Sequence, residues 1–219
     1  MKKSIMLVVL FLASITSFAQ LRGSAITVTK TFDYTNFDKI NFDNLDGQLV
    51  VEVGKPFGIS VTIDDNLFSL LVINQIASQL TIALNGNSNN KLYIENTKIK
   101  VVVTMPSLTA VCNNGNSDLI VTNINSTNFQ IENRQNGSTT LTGIVAFLEV
   151  VCKGNGILNA KNLVAKTANI RASGNGNVTI NVTDSVVAKT SGNCTVVNIG
   201  NAKFNSNSIS TGNSRFVTN

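Results

Sequence analysis

The C-terminal half of the chain carries one short pattern that returns about every 20 residues, a spacing typical of repeat proteins. The pattern joins glycine to asparagine, and it occurs at Asn114-Gly115-Asn116, Asn136-Gly137-Ser138, Gly154-Asn155-Gly156, Gly174-Asn175-Gly176, Gly192-Asn193 and Gly212-Asn213. In repeat proteins each unit contacts only its neighbours. The repeat therefore restricts the fold more than any other feature of the sequence.

The segments between these corners alternate apolar and polar residues. In the clearest segment, Ala168, Ile170 and Ala172 are interleaved with Asn169 and Arg171. A period of two indicates a strand with one buried face, and no helical period competes with it. Strands that end in glycine and asparagine turn sharply, because these residues accept positive φ at low steric cost.

Stacked strands of this kind predict a parallel β-helix. One repeat of about 20 residues cannot bury its apolar face alone, so successive coils must stack with their strands about 4.8 Å apart. Parallel crossovers are almost always right-handed. We therefore predict an all-β protein, a right-handed parallel β-helix (β-solenoid), whose regular coils extend over residues 107–219.

The corner residues admit two interpretations. In the first, the glycines form the turns and the asparagines make hydrogen-bonded ladders from coil to coil. In the second, the polar corners form an exposed edge that meets a ligand. We favour the structural role, and assign it to Gly115, Gly137, Gly154, Gly156, Gly174, Gly176, Gly192, Gly212, Asn155, Asn175 and Asn193, with Asn114 as a further ladder residue.

The N-terminal segment, Met1 to Ala19, has the features of a secretory signal peptide. Lys2 and Lys3 precede an apolar run from Ile5 to Ile15, and small residues stand at Ser17 and Ala19, where signal peptidase reads the chain. The run is short for a membrane span, which makes a transmembrane anchor the weaker alternative. We predict an exported protein, in the periplasm, on the outer-membrane surface or extracellular, with no transmembrane segment in the mature chain.

Residues 20–106 also alternate, but their repeat is poorer. We predict that they form an irregular, β-rich N-terminal part that caps one end of the solenoid. A short helical turn is expected within Leu67–Ile76, and the asparagine-rich segment 85–91 is predicted to be a mobile loop.

The composition limits the chemistry of the protein. The sequence contains no histidine, the commonest general base and transition-metal ligand, and this excludes a Ser-His triad. Acid/base cleavage needs two carboxylates in one groove, whereas we expect Asp118, Glu132, Glu149 and Asp184 to fall at different phases of the coil. We therefore predict that the protein is not an enzyme and has no cofactor.

A second acidic group lies in the N-terminal half, at Asp43, Asp46, Asp64 and Asp65. One interpretation is a calcium site built from loops. The favoured interpretation is backbone capping, the ordinary role of aspartate in turns.

The basic residues of the coils are dispersed. Once the predicted signal peptide is removed, the chain has 15 Lys and Arg (17 minus Lys2 and Lys3) and 12 Asp and Glu, a net charge of +3. Each coil carries one or two basic residues, which are Lys153, Lys161, Lys166, Arg171, Lys189 and Lys203. We interpret them as solubilising. A stripe that binds acidic glycans or nucleic acid is the less favoured alternative, and nucleic acid is not a predicted partner.

Three cysteines are an odd number for an exported protein. We expect Cys112 and Cys152 to occupy one inward-facing column, two coils and about 10 Å apart, too far for a disulfide. The prediction is therefore three buried free thiols. An intermolecular disulfide through Cys194 is the alternative.

The order of several motifs resembles a known family. These motifs are Phe37-Asp38-Lys39-Ile40, Val51-Glu52-Val53-Gly54, Val61-Thr62-Ile63-Asp64, Gln79-Leu80-Thr81-Ile82 and the run from Val101 to Leu108, followed by Gly-Asn-Gly corners. Together they are similar to the putative auto-transporter adhesin family with the head GIN domain, over residues 32–218. The resemblance implies a right-handed parallel β-helix, shaped like pectin lyases but without their catalytic residues, and a role in adhesion. The family's usual Gly-Ser-Gly corners are replaced here by Gly-Asn-Gly, which removes the serine hydroxyls.

These observations favour a non-catalytic exported protein, an adhesin-like or cell-envelope interaction module that presents an Asn/Thr/Ser-rich sheet. The alternative is a degenerate pectin-lyase-like protein that binds or processes polysaccharide. The expected partner is an unknown protein or glycan at the cell envelope. Because the segment Ser214–Thr218 still alternates like a strand, homo-oligomerisation through an open solenoid end is also predicted.

Overall fold

Apolar side chains from successive coils stack in columns inside the molecule. Phe129, Leu148, Ala168 and Val186 oppose one another on neighbouring parallel strands, and each is at most 4% exposed. The polar residues between them face outward, as the alternation requires. The computed structural model describes residues 20–86 and 93–218. It is 68% strand and 3% helix and forms a β-solenoid of about five turns, which confirms the predicted fold class.

Seventeen strands and one short helical turn make up the described residues. The strands are β1 (Gln20–Arg22), β2 (Thr27–Phe32), β3 (Lys39–Asp43), β4 (Gln48–Val53), β5 (Gly58–Asp64), β6 (Leu71–Ile76), β7 (Gln79–Leu84), β8 (Tyr93–Glu95), β9 (Lys100–Met105), β10 (Ala110–Asn114), β11 (Asp118–Asn133), β12 (Ser138–Gly154), β13 (Ile157–Gly174), β14 (Asn177–Gly192), β15 (Thr195–Asn198), β16 (Ile209–Ser210) and β17 (Arg215–Thr218). A 3-10 helix spans Asp65–Leu70.

The long strands β11 to β14 bend round the core, so each coil has three faces. Face A consists of β9, β4, the segments 118–122, 138–142, 157–160 and 177–180, and then β15 and β17. Face B consists of the segments 124–126, 143–145, 163–165 and 181–182. Face C consists of β7, β3, β10, the segments 128–133, 147–152, 167–172 and 185–190, and then β16.

The corner between faces C and A explains the repeated glycines. The first glycine of a corner adopts positive φ, as at Gly192 with φ 86°. The second needs space, since a Cβ on Gly176 would lie 2.6 Å from the carbonyl oxygen of Gly156 in the preceding coil. Gly154, Gly174 and Gly212 share the positive φ, while Gly115, Gly137 and Gly156 face a neighbouring backbone as closely as Gly176 does.

The same corner carries a ladder of exposed asparagines. Five hydrogen bonds, of 3.3, 3.0, 2.8, 2.6 and 3.1 Å, run from each Nδ2 to the Oδ1 of the preceding coil through Asn116, Asn136, Asn155, Asn175, Asn193 and Asn213. Asn114 was expected in this ladder, and this is wrong. It lies two positions earlier at the end of β10, where its Nδ2 donates to Asp43 at 2.5 Å.

Breaking the ladder in its middle is expected to have a small, measurable effect. Asn175→Ala removes two of the five hydrogen bonds and should lower the free energy of unfolding by about 1 kcal/mol. Asn169→Ala is the matched control, because this half-exposed face C side chain makes no hydrogen bond with a described residue. Urea unfolding measures both, and equal losses would show that the ladder contributes no stability.

The coil stack extends into the N-terminal part. On one side, β3 pairs in parallel with β10 and β4 with β11. On the other side, β3 pairs with β7 and β4 with β9. The coil formed by β3 and β4 therefore lies between two coils that follow it in the sequence. Antiparallel pairs, β2 with β5, β5 with β9 and β6 with β7, lie at the N-terminal end of the fifteen-stranded sheet.

The predicted helical turn within Leu67–Ile76 is correct only in its first part. The 3-10 helix ends at Leu70, and Leu71–Ile76 forms β6, which pairs antiparallel with β7. The predicted signal peptide, residues 1–19, and most of the predicted loop at 85–91 lie outside the described residues. Within the described ranges, no helix has the length and apolar character needed to cross a membrane.

Two phenylalanines cover the C-terminal end of the core. Phe216 continues the inward column of Val196, and Phe204 follows Val186. Their rings stack at 4.8 Å between centroids, and both pack against the core. These two rings cover part of the end of the core, and the predicted self-association through this end stays a prediction.

Candidate functional site

Three shallow depressions lie on the outer surface of face C and share lining residues. The first has a volume of about 470 Å³, the second about 650 Å³ and the third about 550 Å³. Lys39, Ala110 and Gln130 line both the first and the second, and Glu132 lines both the first and the third. The depressions therefore form one continuous trough along the solenoid axis, and we use this name for it below.

Parallel register determines which side chains line the trough. In a parallel stack, residues that oppose one another point the same way, so outward residues form columns as the inward ones do. One such column contains Asn41, Cys112, Glu132, Val151, Arg171, Lys189 and Ile209. A residue that is isolated in the sequence therefore lies about 4.8 Å from its register partner on each adjacent strand.

The basic residues illustrate this effect. They were expected to be dispersed, but Arg171 and Lys189 oppose each other on β13 and β14, and Lys153 lies in the adjacent outward position on β12. All three line the third depression. Lys161, Lys166 and Lys203 lie outside the trough.

The carboxylates of the coils are also closer than expected. Glu132 opposes Val151, two residues beyond Glu149, so both carboxylates lie on face C with their Cα atoms about 8 Å apart. The expectation that stacking separates these two is therefore wrong. Each is engaged by an arginine: Glu132 accepts from Arg134 at 2.8 Å, and Glu149 forms an ion pair with Arg171. Asp118 and Asp184 lie elsewhere, bonded to Ser138 and Thr183.

Three of the N-terminal aspartates, Asp43, Asp64 and Asp65, accept hydrogen bonds from distant segments of the chain. The carboxylate of Asp64 is fully buried and accepts the backbone N–H groups of Ala25, at 2.8 Å, and Lys98, at 2.5 Å. Asp65 accepts from the Ser24 hydroxyl at 2.5 Å, and Asp43 from Asn114. Burial raises the pKa of Asp46, and the charge of Asp118 adds to this. Within residues 20–86 and 93–218, no three acidic or sulfur ligands gather into a group that could hold a metal ion.

The three cysteines are free thiols, but two of them do not share a column. Cys112 opposes Glu132 and faces outward into the trough, whereas Cys152 opposes Asn133 and faces the core. The expectation of one inward column is wrong by one residue. Cys152 and Cys194 are buried, and Cys112 is half-buried. Burial raises the pKa of Cys112 to about 11 and that of Cys152 to about 12, and it also raises the pKa of Cys194.

This arrangement predicts selective and slow alkylation. In the native protein, iodoacetamide should label Cys112 alone, because Cys152 and Cys194 are buried. The raised pKa keeps the Cys112 thiol protonated, so its rate should rise about tenfold for each pH unit between about pH 7 and 9.5, without levelling off. Mass spectrometry measures the labelled sites. Native labelling that survives in Cys112→Ser would contradict the assignment.

Two kinds of residue in and beneath face C were not singled out from the sequence. Buried asparagines hold the corners from inside, with Asn113 Nδ2 donating to the Ser117 carbonyl at 3.1 Å and Asn133 Nδ2 to the Gly137 carbonyl at 2.9 Å. The signal was their position, inward in the alternation and directly before a corner. The other residue is Phe147, half-buried at the edge of the second depression.

Comparison with known proteins identifies the family. The family described as "Putative auto-transporter adhesin, head GIN domain" matches residues 36–202. The chain belongs to this head GIN family. The match covers most of the coils, including the coil formed by β3 and β4, and it confirms the resemblance found in the sequence.

Several solved structures have a similar fold. A putative adhesin from Bacteroides fragilis is 18% identical, with a TM-score of 0.63, and the alignment covers 90% of this chain and 97% of that one. A putative adhesin from Parabacteroides merdae is 18% identical, with a TM-score of 0.59 and coverage of 91% and 99%. A putative lipid binding protein from Parabacteroides distasonis is 17% identical, with a TM-score of 0.57 and coverage of 91% and 99%. At these identities the likeness concerns the fold alone. No curated protein matches the chain.

Proposed function

We propose that this head GIN protein is a non-catalytic interaction module of the cell envelope that binds an extended ligand along the trough. The observation that carries the proposal is the continuity of the trough, since three depressions share lining residues across successive coils of face C. The family name and the two adhesins of similar fold agree with a role in binding.

An extended ligand suits this surface better than a compact one. Each coil adds outward side chains about 4.8 Å from those of the previous coil, so a chain-like ligand meets equivalent positions repeatedly. Compact small-molecule sites are usually enclosed and apolar. The trough is instead shallow, with amide and charged side chains such as Asn41, Gln130 and Arg134.

The non-catalytic part of the proposal rests on how the carboxylates are used. Glu132 and Glu149 are carboxylates that stacking brings close together on face C, and each forms an ion pair with an arginine. The sequence has no histidine to serve as a base. Acidic and neutral glycans incubated with the protein should release neither reducing ends nor unsaturated products. A product that disappears in Glu132→Gln would instead establish the polysaccharide-processing alternative.

Export to the cell surface is the second part of the proposal. The signal-peptide features of Met1 to Ala19 support export, and the family name agrees with it. Intact cells that produce the protein would be treated with protease or with a membrane-impermeant label before and after the envelope is broken. We expect the protein to be cleaved or labelled on intact cells. Protection until lysis would contradict surface adhesion and direct the search to periplasmic partners.

A matched pair of variants tests whether the trough is the binding surface. Ala110→Trp places a large side chain across the first two depressions, because Ala110 faces outward between Lys39 and Gln130. Thr140→Trp makes a similar change on the outward side of face A. Fluorescently labelled protein is expected to bind isolated envelopes, with Ala110→Trp at least tenfold weaker and Thr140→Trp unchanged. Equal binding by both variants would contradict the proposal.

A further inference from the structure

The trough carries an uneven distribution of charge along its length. The first depression is balanced, with Lys39 and Arg134 against Asp43 and Glu132. The third depression is lined by Lys153, Arg171 and Lys189 against Glu132 alone, three positive charges minus one negative charge, or +2. The second depression has Asp38 and Glu149 against Lys39, or −1. Positive charge is therefore concentrated at the C-terminal end of the trough.

Most of this positive charge is available to a ligand. Lys153 and Lys189 are exposed, and neither forms a salt bridge with any residue in the described ranges. Arg171 shares one guanidinium nitrogen, Nη2, with Glu149, which leaves its other N–H groups for further contacts. The single acidic residue of this depression, Glu132, is already engaged by Arg134.

The three cations are arranged along the solenoid rather than around a point. Arg171 and Lys189 are register partners, and Lys153 opposes Ser173, two residues beyond Arg171. Adjacent strands place the Cα atoms of Arg171 and Lys189 about 4.8 Å apart, and the two-residue offset places that of Lys153 about 8 Å from that of Arg171. Hydroxyl groups lie beside them, since Ser173 and Ser191 oppose each other and line the same depression. Such a row matches a ligand that carries repeated negative charges.

We propose that this cationic end of the trough, defined by Lys153, Arg171 and Lys189, binds a polysaccharide that carries carboxylate groups. This ligand assignment rests on the proposed function of the trough and adds the chemical class of its ligand. Carboxylates contact the cations, and the sugar hydroxyls contact the serine and amide groups. The half-buried ring of Phe147, in the second depression, offers an apolar surface to a sugar ring further along.

A polysaccharide fits these groups better than a membrane surface does. Beyond its cationic end, the trough continues into a charge-balanced region lined by Asn41, Gln79 and Gln130. These amides suit a hydroxyl-rich polymer, whereas a lipid surface favours a cluster of cations with an apolar face that inserts. Vesicles of anionic lipid are therefore included as a competing outcome of the test.

The test measures binding of purified protein to a defined polyuronate, a linear chain of uronic acid residues. Isothermal titration calorimetry would compare it with a neutral glucan of similar length, with sodium acetate and with vesicles of anionic phospholipid. We expect polyuronate to bind, the glucan and acetate to bind at least tenfold more weakly, and the polyuronate affinity to fall as salt is raised from about 50 to about 200 mM.

Two double variants separate the site from general charge. Lys153→Gln with Lys189→Gln removes two cations of the site and is expected to weaken polyuronate binding at least tenfold. Lys161→Gln with Lys166→Gln removes the same charge outside the trough and should change affinity less than twofold. All four lysines are exposed, so these changes leave the core intact.

The outcomes distinguish this inference from the function on which it rests. Failure of polyuronate to bind, or equal losses in the two double variants, would overturn the cationic site. Vesicle binding that depends on Lys153 and Lys189, without polyuronate binding, would overturn the ligand class. If envelope binding is nevertheless lost in Ala110→Trp, the trough remains the binding surface with a different ligand. If that variant also binds normally, both proposals fail.

Discussion

Replacing Phe129 with alanine is expected to lower the free energy of unfolding by about 3–5 kcal/mol, the usual cost of removing a buried aromatic ring. Phe129 is 1% exposed, on face C, in the inward column with Leu148. The neighbouring coils are held in place by their backbone pairing, so the core cannot collapse freely into the space that the ring leaves. The loss should therefore fall in the upper part of this range.

The matched control is the same substitution at Phe147. Phe147 lies on β12, one residue before Leu148, the register partner of Phe129. Its side chain is therefore on the outer side of face C. Because its side chain is only half-buried, Phe147→Ala should cost about 1 kcal/mol or less. Urea unfolding followed by circular dichroism measures both variants. Similar losses would mean that the inward and outward assignments on face C are wrong.

Gly192→Ala is expected to cost about 2–5 kcal/mol, for two separate reasons. Its φ of 86° is in the left-handed region, where an L-residue is less stable by about 1–2 kcal/mol. The added Cβ would also press on the carbonyl oxygen of Gly174 in the preceding coil, which adds about 1–3 kcal/mol as in other overpacked sites.

Gly54 provides a control with almost the same backbone conformation. Its φ is 87°, but a Cβ there would have no atom within 4 Å. Gly54→Ala should thus show only the conformational cost of about 1–2 kcal/mol. The difference between the two losses, measured by urea unfolding, isolates the contact between coils. No difference would show that the stack adapts to an extra methyl group.

The corners and the alternation made the solenoid predictable from the sequence. Gly174-Asn175-Gly176 combines a residue that needs positive φ, a residue that hydrogen-bonds to the preceding coil and a residue that leaves room for the backbone of that coil. All three requirements are local, and a repeated local requirement is visible in a sequence. The inward side chains, such as Ile170, are equally local, since they follow from a period of two.

The columns could not be predicted, because they depend on register. The pairing of β11 with β12 shifts between Val121 and Ile124, and further shifts occur between later strands. One inserted residue moves every following side chain to the opposite face. This explains why Cys112 was placed in the column of Cys152. Asn114 was misplaced for another reason, because the corner Asn114-Gly115-Asn116 has two asparagines and the second one lies in the ladder.

The candidate site was hidden for the same reason. Lys153, Arg171 and Lys189 are isolated in the sequence and become neighbours only when three coils are aligned. The proximity of Glu132 and Glu149 has the same origin. Their residue types were noted from the sequence, but the grouping that suggests a binding surface required the structure.

The coil formed by β3 and β4 has a consequence for the order in which the protein folds. Contacts between later coils join residues about 20 positions apart, whereas Thr109 donates to the carbonyl of Asp38 across 71 positions. Closing the longer loop costs more chain entropy, and contacts of this range slow folding. As the chain is synthesised, β3 can pair early with β7, whereas β4 stays unpaired on both edges until β9 has been made, and β10 and β11 then complete the coil. We therefore expect assembly of this N-terminal group of contacts to be the slow, nucleating step, after which the remaining coils add one at a time towards the C-terminus.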